Sequence, residues 1–115
     1  MPGVPACLVC LPTCTVRLGG IYDLAERNPA LQSANLTITD CEISSVGVEF
    51  KSCAAITVGY SRGTAITHNR LRNLQYSGVS LSWGWGAACY SADNQVAYNE
   101  IAGAMCGELV DGGSV

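Results

Sequence analysis

The 115-residue chain is poor in charge, in phenylalanine and in long apolar runs, and each shortage excludes something. No apolar stretch is long enough to span a bilayer, so no membrane partner is expected. Residues 4–16 are apolar, but no Lys or Arg precedes them and Pro5 and Pro12 interrupt them, so an export signal is not evident. A single Phe and five Tyr do not suggest a large aromatic core. The net charge of −3 argues against nucleic acid as the main partner. Basic residues stop at Arg72; beyond it stand only Asp93, Glu100, Glu108 and Asp111, which form either a solvated surface or a carboxylate-rich cleft. No Gly-rich phosphate loop, HExxH motif, paired CxxC or GxSxG elbow is present, and no cofactor is expected.

What the chain does hold is nearly half hydrophobic residues, which suits a buried core rather than disorder, and thirteen Gly among many Ser, Thr and Val. That mixture points to short strands and tight turns. Seven Cys is an odd number for a secreted disulfide scaffold, and Cys41, Cys53, Cys89 and Cys106 have the apolar surroundings of core residues. Cys7, Cys10 and Cys14 have the spacing of cluster ligands, but no partner CxxC or nearby His completes a set, so no metal is expected. Residues 1–34 are expected to be an irregular N-terminal segment, with a strand possible at Thr15–Leu18 before Gly19-Gly20. Asn35-Leu36-Thr37 matches a glycosylation acceptor, a short and unspecific pattern.

From Asn35 the chain repeats itself. Ile38-Thr39-Asp40-Cys41-Glu42-Ile43, Ile66-Thr67-His68-Asn69-Arg70-Leu71 and Val96-Ala97-Tyr98-Asn99-Glu100-Ile101 align, starting 28 and then 30 residues apart. Each is followed by a second strand-like segment, at 55–60, 78–83 and 112–115. Ile43 to Ile56 and Ile101 to Ser114 each span 13 residues, whereas Leu71 to Val79 spans 8, so the outer repeats carry a longer loop on the same side. Two short strands per unit at this period mark a solenoid. Stacking such strands in parallel, about 4.8 Å apart, puts Ile38, Ile66 and Val96 in one column and Ile56, Val79 and Ser114 or Val115 in another. Cys41, Asn69 and Asn99 form a third. An Asn at a bend tolerates left-handed geometry, and its amide can bond the next rung. The plainer alternative is two Asn in ordinary exposed turns.

The stretch ITVGYSRGTAITHNRLRNLQYSGVSLSWGWG, residues 56–86, followed by the Asp111-Gly112-Gly113 turn, resembles the right-handed parallel β-helix superfamily, pectate-lyase-like proteins. It is most similar to bacterial β-helix glycoside-hydrolase-like proteins. The resemblance covers residues 35–115. It implies an all-β fold, a right-handed parallel β-helix of about three rungs. It also implies an extracellular or periplasmic setting and a polysaccharide or oligosaccharide partner. Such relatives are much longer, so the chain is expected to be a fragment that self-associates through uncapped rung ends.

Carbohydrate binding needs flat apolar faces beside hydrogen-bonding groups. Trp83 and Trp85, flanked by Gly84 and Gly86, with Tyr60 and Tyr76, are candidates for a groove, or else the Trp pair covers the edge of the core. His68, just before Asn69, is a candidate to bond a sugar hydroxyl, or is a plain surface residue. Glycoside hydrolysis requires two carboxyl groups. Asp111 is the first candidate and Glu108 its partner, although Asp before Gly is also a common turn residue. Glu100 is expected to point to solvent. A polysaccharide lyase would need a cation site built from several acids, so hydrolysis is favoured over elimination. The competing expectations are a non-catalytic glycan-binding or structural module, and a truncated product with no activity of its own.

Overall fold

A computed structural model describes residues 7–10, 16–18, 30, 32–81 and 91–115, of which 7–10, 17 and 18 by backbone alone. Within them lie twelve short strands and almost no helix. They are β1 (Cys7–Cys10), β2 (Val16–Leu18), β3 (Ser33–Ala34), β4 (Thr37–Thr39), β5 (Cys41–Ser44), β6 (Ile56–Val58), β7 (Ser61–Arg62), β8 (Ala65–Thr67), β9 (Arg70–Arg72), β10 (Val79–Leu81), β11 (Gln95–Ala97) and β12 (Glu100–Ala102). No described helix is long and apolar enough to cross a membrane.

The strands form four sheets, ordered β1-β5-β9-β12, β10-β6-β2, β11-β8-β4 and β3-β7. Every strand pairing is parallel. The register joins equivalent residues of successive repeats: Ile38 to Ile66 to Val96, Ile43 to Leu71 to Ile101, and Ile56 to Val79. In-register pairing puts like side chains on the same face, since a slip of one residue would turn every apolar group outward. The inward set is Ile43, Val46, Ile56, Val58, Ile66, Leu71, Leu74 and Val79, all buried. At residues 112–115 no strand forms, yet Gly78 and Val79 donate backbone hydrogen bonds to the Gly113 and Ser114 carbonyls, so the segment lies along β10.

Among the described residues before Asn35, three segments are strands that pair with later ones. β1 pairs with β5, β2 with β6, and β3 with β7. Val16–Leu18 is a strand, and the paired structure starts well before residue 35. The reason it escapes a search for repeats is spacing. Cys7 sits beside Cys41 and Val16 beside Ile56, offsets of 34 and 40, where the next strands of the same two sheets follow at 28 and 23. Longer connections destroy the period without preventing the pairing.

The strands turn corners through single residues of positive φ, and these corners also repeat. Asn35, Gly63 and Asp93 form one column, Asp40, His68 and Tyr98 a second, and Ser45, Asn73 and Gly103 a third. Left-handed geometry costs an L-residue roughly 1–2 kcal/mol, least for Gly, Asn and Asp. Seven of these nine corner residues are Gly, Asn, Asp or Ser; the bulky exceptions are His68 and Tyr98.

Candidate functional site

Directly after the second corner comes the carboxamide column. The Asn69 Oδ1 accepts the Cys41 N–H (3.0 Å) while its Nδ2 donates to the Ile38 carbonyl (3.0 Å). One repeat later the Asn99 Oδ1 accepts the Asn69 N–H (2.9 Å) and its Nδ2 donates to the Ile66 carbonyl (2.8 Å). The Asn69 Nδ2 also reaches the Asn99 Oδ1 at 3.0 Å. Each amide thus brackets two backbone groups of the repeat beneath it. Cys41 shares the column but not the chemistry, and its thiol donates to the Thr39 carbonyl at its own level (3.3 Å). Asn94 makes the same bracket at the first corner, accepting from the Thr64 N–H (2.9 Å) and donating to the Ser61 carbonyl (3.0 Å). Beneath Asn94 stand Thr64 and Leu36, so no run of like residues marks it in the sequence.

His68 and Tyr98, the residues before two of those Asn, stack face to face, with ring centroids 5.2 Å apart and planes inclined at 19°. Both are exposed, Tyr98 at 79%. Beside them the Thr67 hydroxyl donates to the Thr39 hydroxyl (3.3 Å), and Asp40 occupies the same corner one repeat below. Tyr98 was not among the sequence candidates. Its signal is the 30-residue offset from His68, which the Asn column already defines.

Three of the carboxylates are held by cations. Asp93 pairs with Arg62 (3.0 Å) beside β7, and Glu100 on β12 pairs with Arg70 (3.0 Å) and Arg72 (2.8 Å) on β9. Glu108 pairs with Lys51 (3.0 Å), a contact that joins the two long loops, 45–55 and 103–113, across the short connection between β9 and β10. Tyr76 lies in that short connection. Its hydroxyl donates to the Asp111 backbone carbonyl (2.6 Å), and its own carbonyl accepts the Met105 N–H (3.1 Å). Tyr76 therefore engages Asp111 through the main chain and not through its carboxylate. Asp111 sits at φ 68°, in keeping with a turn role. Both Glu108 and Asp111 are exposed.

Tyr60 is 2% exposed, in the buried turn between Val58 and β7. Trp83 and Trp85 lie outside the described residues. Among the described residues no three His, Cys, Asp or Glu side chains converge to hold a metal.

The hydrogen bonds from Arg72 and Arg70 hold the Glu100 carboxyl below the ordinary glutamate range. A group whose folded value is depressed adds stability that is fully present above its unfolded value and is lost as pH falls through the folded one. An NMR titration of Glu100 should give a midpoint below that of a free glutamate, and Arg72→Met should move it back up. Because the carboxylate is exposed, salt should weaken the effect. An unshifted midpoint at low salt would rule the two-arginine clasp out.

The chain matches no protein-family model, no curated protein and no solved structure.

Proposed function

We propose that the chain is a section of a right-handed parallel β-helix, of the pectate-lyase-like kind, that binds a polysaccharide or oligosaccharide without cleaving it. The four parallel sheets are then the faces of a single spiral. In-register pairing at offsets of 28 and 30 in two of those sheets supports that coil. Its setting would be extracellular or periplasmic, where such polymers are met.

The observation that carries the binding reading is the stacked His68–Tyr98 pair. Two bulky rings occupy left-handed corners where Asp, Asn or Gly would be less strained, and they remain exposed. Strain retained on a surface points toward use. A flat aromatic face takes the C–H face of a pyranose, and the Thr39 and Thr67 hydroxyls and the Asp40 carboxylate supply hydrogen-bonding groups nearby. Hydrolysis is disfavoured because Asp93, Glu100 and Glu108 are each bound to a basic side chain, on different parts of the surface. A hydrolytic pair faces one scissile bond, about 5 to 10 Å apart.

The test is isothermal titration of the protein with cellohexaose, xylohexaose and a trigalacturonate, together with an assay for new reducing ends. One of these sugars should bind, Tyr98→Ala should weaken it about tenfold, on the order of 1.4 kcal/mol, and no reducing ends should appear. Release of reducing ends that Asp111→Asn abolishes would establish the hydrolase instead. No binding by the whole panel at millimolar sugar would remove the glycan reading.

A further inference from the structure

The column that holds Asn99, Asn69 and Cys41 continues downward. β1 lies beneath β5 in parallel register, and the position under Cys41 is Cys7. From Asn99 to Asn69, and from Asn69 to Cys41, the layers are joined by a carboxamide that brackets backbone groups of the layer beneath. Cys41 cannot do this for β1. A thiol has no amide oxygen and nitrogen to offer, and the Cys41 Sγ donates to the Thr39 carbonyl at its own level. Where the amides stop, two consecutive positions of the column are both cysteine. The column thus passes from residues that join layers by hydrogen bonds to residues that can join them through sulfur. The other cysteine of β1 meets no second thiol, because Cys10 stands opposite Ser44.

We propose that Cys7 and Cys41 form a disulfide under oxidising conditions, and that it ties β1 to β5 where the amide column ends. Register partners of a parallel ladder fall on the same face of the sheet, with Cα atoms about 4.8 Å apart. That lies inside the roughly 4.4–6.8 Å that disulfides span. The Cβ atoms of a disulfide are closer, about 3.8 Å, so the two strand ends must draw together by about 1 Å. Cys7 and Cys41 are the first residues of their strands, and Asp40 turns the chain at φ 54° just before Cys41. The adjustment therefore falls at a corner and not in the middle of a ladder. Cys41 is half-buried, so a small disulfide reagent can reach its sulfur. The step is thiol–disulfide exchange with glutathione disulfide as the oxidant. One protein thiolate attacks it and releases one glutathione; the second protein thiolate then attacks the mixed disulfide and releases the other. Two protein thiols are oxidised, two glutathione sulfurs are reduced, and the two protons end on glutathione. The link joins positions 34 apart, a long loop whose closure removes much of the freedom of the unfolded chain. It does not depend on sugar binding.

The test is peptide mapping of the full chain. Reduced protein is equilibrated under native conditions with glutathione disulfide, remaining thiols are alkylated, and a tryptic digest is read by mass spectrometry without reduction. Trypsin releases residues 1–17 and 28–51, and Cys41 is the one cysteine of the second peptide. The expected product is these two peptides joined, two hydrogens lighter than their sum, with fragmentation placing the link at Cys7. Cys7→Ser should abolish it and leave Cys41 alkylated, whereas Cys10→Ser and Cys14→Ser should retain it. Oxidation should raise the melting point of the unsubstituted chain by about 10 °C and leave that of Cys7→Ser unmoved. In a mixture of isotope-labelled and unlabelled chains, the joined peptides should carry one label only. Three results on the unsubstituted chain would each overturn the proposal: Cys41 still alkylated after oxidation, Cys41 linked to any cysteine other than Cys7, or joined peptides of mixed label.

Discussion

Replacing Asn69 with alanine should destabilise the protein more than any other single polar substitution among the described residues. Asn69 is 2% exposed and has a partner on every side. Its loss removes the bond to the Cys41 N–H, one bond of the Ile38 carbonyl and one contact with Asn99. Leaving a buried polar group unsatisfied costs about 1–3 kcal/mol, so the combined effect should be about 3 kcal/mol or more. If Asn69 instead sat in an ordinary exposed turn, the change should stay within about 0.5 kcal/mol. Urea unfolding followed by circular dichroism separates the two outcomes. Asn69→Asp is an informative companion. It keeps the acceptor for the Cys41 N–H but replaces the donor to Ile38 with an oxygen, so it should not rescue. The same substitution at Asn99 should cost less, since that side chain is only half-buried.

A comparable loss is expected from Leu71→Ala. Leu71 is fully buried between Ile43 on one side and Ile101 on the other, in the middle of the longest sheet. Truncating a buried Leu costs about 2–5 kcal/mol, the transfer term adding to that of the cavity left behind. The neighbouring strands are held in register by backbone bonds on both edges of β9, so the site has little freedom to collapse, which places the expected value in the upper part of that range. Since a small domain has roughly 5–15 kcal/mol of stability in total, a melting point lowered by many degrees is the expected readout. The control is Ile101→Ala, in the same column but at the open edge, where the side chain is already partly hydrated and the loss should be clearly smaller. Equal losses at the two positions would mean that the edge is covered in solution.

These expectations rest on parts of the fold that were legible at different depths. The Asn column could be read because residue type and spacing agree: Asn69 and Asn99 are 30 apart, flanked by matching aliphatic residues. The same was true of the Ile38, Ile66, Val96 column and of the short strands at 56–58 and 79–81. Asn94 escaped because Thr64 and Leu36 beneath it share no chemistry with an amide. The pairing of β1 and β2 escaped because offsets of 34 and 40 break the period, although a strand at Thr15–Leu18 could be read. The site was less legible than the strands. Tyr60 was a candidate to line a groove with Trp83, Trp85 and Tyr76; its burial at 2% depends on which way the turn before β7 faces, which its neighbours in sequence do not specify. Glu108 was weighed as a catalytic partner for Asp111, yet it meets Lys51, 57 positions earlier, only because the intervening connection is short.

The sequence by itself determined the layering: a repeat near 29 residues, alternating side chains and small or amide residues at the corners permit parallel strands and little else. Those are local properties, carried by each residue's own steric limits and by which neighbours it can bond. Which side chains share a surface was decided only when the layers stacked. The His68–Tyr98 pair and the Arg72–Glu100–Arg70 clasp each join residues about 30 positions apart. Contact at that range is set by loop lengths and register, quantities that no single segment contains.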